Sequence, residues 1–526
     1  MRKRNCTVQA SANSLKKWGE CYIISDKGKL SEGYKGEFMI WESTQTGFSF
    51  IFSHLIFINL IFAVIIVFFQ RKDPKVVWTW LLLLYFIPIL GFIFYLLIGT
   101  DMHKQKMFRI KEIEDHLNDA IRKQEYSLRS KELESKDPEI AEYSDLVMYN
   151  LEASGSMLTD DNDITVYTDG NEKFDAMMAD MREAKKYIHV QYYIIKNDVL
   201  FKRIKDVLVE KAKEGVEVRI LYDAMGCRSV RKSFWKKLNS QGIKTSEFFP
   251  AFLRRLHLRI NYRNHRKIVV IDGKIGYVGG FNIGKEYIGL DSKFGYWRDT
   301  HLRITGTAVS ALQIRFALDW NYTAKENLFL KGEYLYQGPD ESEQHCEIQI
   351  VSSGPDSRYQ NIRDNYLRLI GKAKKSIYIQ TPYFIPDEAI FSALMIAVHS
   401  GIDVNIMIPC KPDHPFVYWA TYSYIGDLVM EGAKCYTYND GFLHSKGMIV
   451  DDKVMCYGTA NMDIRSFALN FEVNAVIYNE EQAKRMRAIF DEDLKKSKQI
   501  TRNVYVSRPL RVRFLEQVSR PLSPLL

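Results

Sequence analysis

Two long apolar runs stand out in an otherwise mixed chain. Residues 48–69 hold only His54 and Asn59 as strongly polar side chains, and residues 76–98 hold no charge at all. A helix of about 20 residues spans roughly 30 Å of hydrocarbon, so each run is long enough to cross a bilayer. Only Gln70 to Lys75 separates them, which leaves room for a tight turn. The pattern therefore predicts a two-helix transmembrane hairpin over 48–98. The first run starts far from Met1 and no small-residue cleavage site follows it, which argues against a cleaved signal peptide. The preceding stretch, 1–47, is a polar extension without periodicity.

After the second run the pattern changes. Met107, Ile110, Ile113, Leu117 and Ile121 recur every three or four residues in a highly charged background, predicting an amphipathic helix within a connector over 99–150. Beyond it the chain repeats itself. Ala184-Lys-Lys-Tyr-Ile-His-Val-Gln191 closes a helix and opens a strand, and Ala373-Lys-Lys-Ser-Ile-Tyr-Ile-Gln380 does the same. A helix ending in glycine then precedes a buried strand at Gly215-Val-Glu-Val-Arg-Ile-Leu and again at Gly401-Ile-Asp-Val-Asn-Ile-Met. Strands alternating with helical stretches predict an α/β fold with mostly parallel sheets. Two tandem α/β domains, 151–335 and 336–526, are expected to pack about a pseudo-twofold axis.

The sharpest repetition carries candidate chemistry. His265-Arg-Lys267-Ile-Val-Val-Ile-Asp272 is followed by Gly279-Gly280-Phe-Asn282, and His444-Ser-Lys446-Gly-Met-Ile-Val-Asp451 by Gly458-Thr459-Ala-Asn461. From each His, the offsets to Lys, Asp, first Gly and Asn are 2, 7, 14 and 17 in both copies. His and Lys two apart on a strand project from one face, so an imidazole and an ammonium can meet one phosphate. Asp272-Gly273 has the character of a hairpin turn that brings the glycines and Asn282 back alongside. Small residues there let backbone N–H groups and the Asn amide approach phosphate oxygens, which makes Gly280, Thr459, Asn282 and Asn461 candidate phosphate contacts.

Joined, the halves put two imidazoles around one phosphorus. One can attack and form a phosphohistidine while the other protonates the departing alkoxide and later deprotonates the incoming hydroxyl. Lys267, Lys446, Asn282 and Asn461 would stabilise charge on the equatorial oxygens, and this chemistry calls for no metal or cofactor. Each histidine also needs a carboxylate on its other nitrogen. The candidates sit on the next strand of each half, Asp299 and Glu472. Asp272 and Asp451 complete the catalytic candidates by motif, although their turn position points equally to a structural role.

Charge and cysteine content refine this only modestly. A net charge of +9 fits contact with anionic headgroups without excluding nucleic acid, against which the apolar runs argue. The seven cysteines are scattered without a CxxC pair, so neither a disulfide framework nor a zinc site is indicated, and a reducing compartment suits them. Arg71, Lys72 and Lys75 in the turn stand against Lys104, Lys106, Arg109 and Lys111 after the second run. That balance slightly favours a cytoplasmic catalytic part. Arg254, Arg255, Arg259 and Arg263 precede the first motif and read either as an anionic-lipid contact or as a solvated face.

The duplicated motifs resemble the HKD motifs of the phospholipase D superfamily, and the chain from about residue 50 resembles bacterial cardiolipin synthases. Trp78-Thr-Trp, Tyr95-Leu-Leu-Ile-Gly99, Ser353-Gly-Pro-Asp356, Thr381-Pro-Tyr-Phe-Ile-Pro386 and Asn461-Met-Asp-Ile-Arg-Ser466 carry that resemblance. Gly280 and Thr459 depart from it, standing where the superfamily often has Ser. The resemblance implies two phospholipase-D-like domains in a multi-pass protein of the bacterial plasma membrane. It further implies transfer of a phosphatidyl group between two phosphatidylglycerols, giving cardiolipin and glycerol, with His265 as nucleophile and His444 as general acid/base. Phosphatidylglycerol and membrane phospholipid are the partners it implies; a homo-oligomer is compatible with it. Hydrolysis by the same phosphohistidine, or a membrane scaffold, are the alternatives.

Overall fold

The computed structural model describes residues 54, 56–67, 74–95, 121–130, 138–249, 262–324, 326, 328, 334 and 342–523. The polar extension, most of the amphipathic stretch from Lys104, and Arg254, Arg255 and Arg259 fall outside them. The chain divides into two compact units, Met1–Ile93 and Phe94–Leu526.

In the first unit the two apolar runs lie side by side. The second is not one helix but two, Pro74–Phe86 and Pro88–Phe94. Proline explains the break, because Pro88 has no N–H to give the Leu84 carbonyl and its ring crowds that turn. Asn59 compensates. Its buried side-chain amide donates to Leu84 O at 3.3 Å and to Pro88 O at 3.0 Å, and Phe62 stacks on Phe92 nearby. Among the described residues no helix is long and apolar enough to cross a membrane, and the break between the two helices interrupts the continuous span expected over 76–98.

The second unit is built on one mixed sheet that runs through both halves. The first half contributes β1 (Leu158–Tyr167), β2 (Tyr187–Tyr192), β3 (Glu217–Asp223), β4 (Ile243–Phe248), β5 (Arg263–Asn264), β6 (Ile268–Ile271), β7 (Ile275–Gly279), β8 (Trp297–Arg298) and β9 (His301–Thr305). The second adds β10 (Cys346–Ser353), β11 (Ser376–Gln380), β12 (Phe384–Ile385), β13 (Asp403–Pro409), β14 (Lys434–Tyr438), β15 (Phe442–Leu443), β16 (Gly447–Val450), β17 (Val454–Gly458), β18 (Met462–Asp463), β19 (Asn470–Tyr478) and β20 (Ser497–Ile500). The main path is β20-β14-β13-β11-β16-β17-β19-β10-β1-β9-β7-β6-β2-β3-β4. Either side of the antiparallel β10–β1 junction the same seven-strand order is met, as a twofold through that junction requires.

Strand character follows from the side chains. β2, β6, β11 and β16 are almost wholly buried runs of Ile, Val and Tyr, covered on both faces by helices such as Val199–Lys213, Ala308–Ala324 and Glu480–Lys495. Those helices are started by side-chain caps where the sequence offers them, as at Asp198 and Asn479. The helix Pro138–Ser154 crosses the expected connector boundary at 150. It packs into the second half, with Leu146, Val147 and Leu151 joining Tyr366 and Leu369 in one core. Burying that apolar face outweighs a free connector.

The two motif aspartates are engaged by backbone N–H groups. Asp272 (φ 52) and Asp451 (φ 55) turn the β6–β7 and β16–β17 hairpins in the left-handed region that Asp tolerates. The Asp272 carboxylate accepts from the backbone N–H of Lys185 (2.6 Å), Lys186 (2.8 Å) and Tyr187 (2.7 Å). Asp451 accepts from Lys374 (2.8 Å), Lys375 (2.7 Å) and Ser376 (2.8 Å). Each clasps the start of the neighbouring strand, on the order of 20 Å along the chain from its histidine.

Candidate active site

The two histidines come together because each is docked on the other half. β5 pairs in parallel with β19, and His265 N donates to Phe471 O at 3.0 Å. Symmetrically, β15 pairs with β8, and His444 N donates to Arg298 O at 2.7 Å. Their side chains therefore meet carboxylates from across the interface. His265 Nδ1 lies 2.9 and 3.0 Å from the two oxygens of Glu472, and His444 Nδ1 lies 2.7 Å from Asp299 Oδ2. Sequence reading placed these carboxylates one to each half; the structure pairs them crosswise. With Nδ1 tied to an anion, Nε2 of each ring is left for chemistry.

The site is nearly closed to solvent, and its charges are set by that. His265 and His444 are 9% and 8% exposed. Burial pushes both imidazoles down to about 4; Glu472 and Asp299 oppose this, while Lys267 and Lys446 add to it. Each histidine also feels the lysine of the opposite half. Burial drives Lys267 well below its ordinary value and Lys446 down to about 8. For Glu472, burial acts upward, but His265 and Lys267 outweigh it and hold the carboxylate below its usual range. Asp299 is likewise held low against burial by Lys446 and His444. Lys267 Nζ donates to His265 O at 2.6 Å, whereas Lys446 Nζ lies 2.7 Å from His444 Nδ1 itself.

The remaining candidates divide. Thr459 Oγ donates to Glu472 at 2.6 Å and accepts from Val473 N, so it fixes a carboxylate instead of facing a phosphate. Gly280 is its counterpart, where a Cβ would fall 1.9 Å from Asp299 Oδ1; only glycine lets that carboxylate reach His444. Asn282 is buried and engaged, accepting from Ile194 N at 3.1 Å and donating to Tyr287 OH at 3.1 Å. Asn461 is buried beside Asp463 with its Oδ1 unpartnered.

Several functional positions escaped the sequence reading. Arg266, between His265 and Lys267, makes a two-pronged pair with Asp319 at 2.8 Å and donates to Glu472 O at 3.2 Å. Arg298 pairs with Asp493 in the same way, both oxygens at 3.0 Å from Nε. Gln191 and Gln380 donate to these same aspartates at 2.6 and 2.8 Å. Those glutamines stand at one offset in the two repeats, a signal that was available. Tyr193 packs edge-on to His265 and Trp297 leans on His444, completing the walls. Among the described residues no cluster of His, Cys, Asp or Glu is arranged to hold a metal ion.

Twin α/β halves with a histidine and a lysine from each at one buried point define a phospholipase-D-like protein. The family model described as the cardiolipin synthase phospholipase-D-like domain matches residues 177–298 and again 366–494, and the phospholipase D-nuclease N-terminal model matches 57–99. The chain is 48% identical over 481 residues to the major cardiolipin synthase ClsA of Bacillus subtilis, covering 91% of this chain and 99% of that protein. It is 49% identical over 472 residues to cardiolipin synthase 2 of Staphylococcus epidermidis, covering 89% and 96%. A crystal structure of phosphatidylserine synthase from Haemophilus influenzae superposes with a TM-score of 0.56 at 16% identity, over 72% of this chain and 99% of that one, a likeness of fold. The chain belongs to the bacterial cardiolipin synthase family within the phospholipase D superfamily.

Proposed function

We propose that this protein transfers a phosphatidyl group from one phosphatidylglycerol to another, giving cardiolipin and glycerol. The observation that carries the reading is the crossed pair of histidine–carboxylate contacts with a lysine beside each. His265 Nε2 attacks phosphorus and the P–O bond to glycerol breaks, His444 giving its proton to the departing oxygen. A hydroxyl of the second phosphatidylglycerol then loses its proton to His444 and attacks the phosphohistidine, freeing His265. Depression to about 4 keeps His265 neutral and nucleophilic at neutral pH. For His444 the phosphodiester's own charge, arriving beside Lys267 and Lys446, offsets the lysines and favours the imidazolium. The Asn461 amide N–H and the lysines donate to the equatorial oxygens, and Asn282 positions the first-half loop.

The proposal extends to placement and organisation. The first domain runs over 151–335 and the second over 336–526. Residues 48–98 anchor the protein in the bacterial plasma membrane as a multi-pass hairpin, with the catalytic part cytoplasmic. Phe57, Leu60, Tyr85 and Phe86 turn 61–79% of their surface outward, which suits hydrocarbon, and Asn59 covers the carbonyl that Pro88 leaves open. The described cysteines Cys227, Cys346, Cys410, Cys435 and Cys456 are all free. Purified full-length protein given phosphatidylglycerol in detergent, with divalent metal chelated, is expected to produce cardiolipin and glycerol. Phosphatidic acid without cardiolipin would overturn the transfer reading in favour of hydrolysis.

A further inference from the structure

Beyond residue 95, eleven large apolar side chains are exposed among the described residues, and five of them fall between Val504 and Val518. This segment holds two helices, Arg502–Val506 and Leu510–Ser519. Their inner face is fully specified. The Tyr505 ring lies so close to Gly426 that a Cβ there would fall 1.8 Å from it, and Arg508 forks onto the buried Glu516 at 2.8 and 3.0 Å. Arg520 ties the segment to Ser423 at 3.1 Å and to Asp427 at 2.5 Å.

The outer face is different. Leu510 (80% exposed), Phe514 (67%) and Val518 (42%) are four residues apart and so form one stripe. Arg502, Arg511 and Arg513 are exposed around it. From Ser497 to Leu526 the sole acid is Glu516, already committed to Arg508. A solvated helix ordinarily carries both signs; an apolar stripe rimmed only by arginine matches the boundary of an anionic bilayer. A symmetric contact with a second copy would press arginine against arginine.

The stripe is also tied to the site. The helix Pro415–Glu431, whose flank receives Tyr505 and Arg520, begins beside Asp413. Asp413 accepts from Tyr383 OH and is among the charges acting on Lys446. Phe416, at the start of that helix, is 53% exposed.

We infer that the helix pair over 502–519 is a membrane-contact surface of the catalytic part, lying in the headgroup layer of an anionic phospholipid bilayer with Leu510 and Phe514 in the acyl boundary. This goes beyond the transfer reading and uses none of its steps. The test places a benzoylphenylalanine photocrosslinker at 514 in the full-length protein, and in a second sample at 396, where Ile396 is 66% exposed. Both are reconstituted in vesicles of phosphatidylcholine with phosphatidylserine, and in phosphatidylcholine alone. Lipid adducts are expected at 514 and not at 396, more abundant with the anionic lipid. No lipid adduct at 514, or a crosslink there to a second chain, would overturn the proposal. In parallel, Leu510→Glu with Phe514→Glu is expected to raise the KM for vesicle lipid about tenfold, with kcat in detergent within twofold of the parent. An unchanged vesicle KM would also overturn it. The crosslink reads the same whether or not cardiolipin is the product, so it fails separately from the transfer reading.

Discussion

The two halves reach one geometry by different means. In the second, a long carboxylate, Glu472, is gripped by Thr459 Oγ at 2.6 Å and the Asn470 amide at 3.2 Å before it meets His265. In the first, a shorter one, Asp299, reaches His444 through space left by Gly280, held by Thr300 N at 2.8 Å and Trp297 Nε1 at 3.4 Å. What is shared is the carboxylate's position at Nδ1, and what differs is the neighbour that fixes it. Each lysine donates to its own histidine's carbonyl, and a second difference is that Lys446 also lies 2.7 Å from the His444 ring nitrogen. Duplication thus kept the carboxylate at each Nδ1 and the low value of both imidazoles while changing the neighbours that hold the carboxylates.

The strongest break in that comparison is to remove each histidine in turn. His265→Ala and His444→Ala are each expected to lower turnover by about 10⁴-fold. Mapping of labelled lipid after a rapid alkaline denaturing quench of the unaltered protein, conditions under which a phosphohistidine survives, should find the phosphoryl group on His265; label on His444 would reverse the assignment. Next come the residues behind the carboxylates. Gly280→Ser should cost about 10²-fold in kcat, because its side chain occupies the place of Asp299, while Thr459→Ser, which keeps the hydroxyl, should cost less than about threefold. Equal losses would mean that the halves are supported alike.

The lysines give a smaller and directional effect. A nearby cation disfavours the imidazolium, so Lys446→Met should let the His444 value rise from about 4 toward its ordinary 6.5. The alkaline limb of kcat/KM for the residual activity, where His444 loses the proton it must donate, should then move upward by about one pH unit, and by less in Lys267→Met. The weakest effect belongs to the clasps. Asp272→Ala and Asp451→Ala should each lower stability by about 1–2 kcal/mol, read from the urea midpoint, with kcat within twofold. A large loss of kcat in either would return that aspartate to the site.

Much of this was legible in the chain because repetition substitutes for an alignment. The β–α alternation, the two His-x-Lys segments, and Asp299 and Glu472 all recur in the two copies, although the structure sets His265–Lys267 and His444–Lys446 between strands and not on the strand that the spacing predicts. Three things were hidden. The crosswise pairing joins residues 207 and 145 positions apart, and nothing local in a sequence says which carboxylate a histidine meets. The Arg266–Asp319 and Arg298–Asp493 pairs are hidden likewise, since a helix after the strands supplies each acid. The break at Pro88 was visible as a residue but was outweighed by the uninterrupted apolar run; hydropathy measures transfer to lipid, not whether the Leu84 carbonyl keeps a partner.

The crossed contact between His265 and Glu472 also sets an order of events during synthesis. Ribosomes add about 5–20 residues per second, so the 207 residues separating the two emerge over roughly 10–40 s. Throughout that interval the nascent first half carries its imidazole and lysine without the anion that aims the ring. The His265–Glu472 contact is therefore completed only when β19 closes against β5.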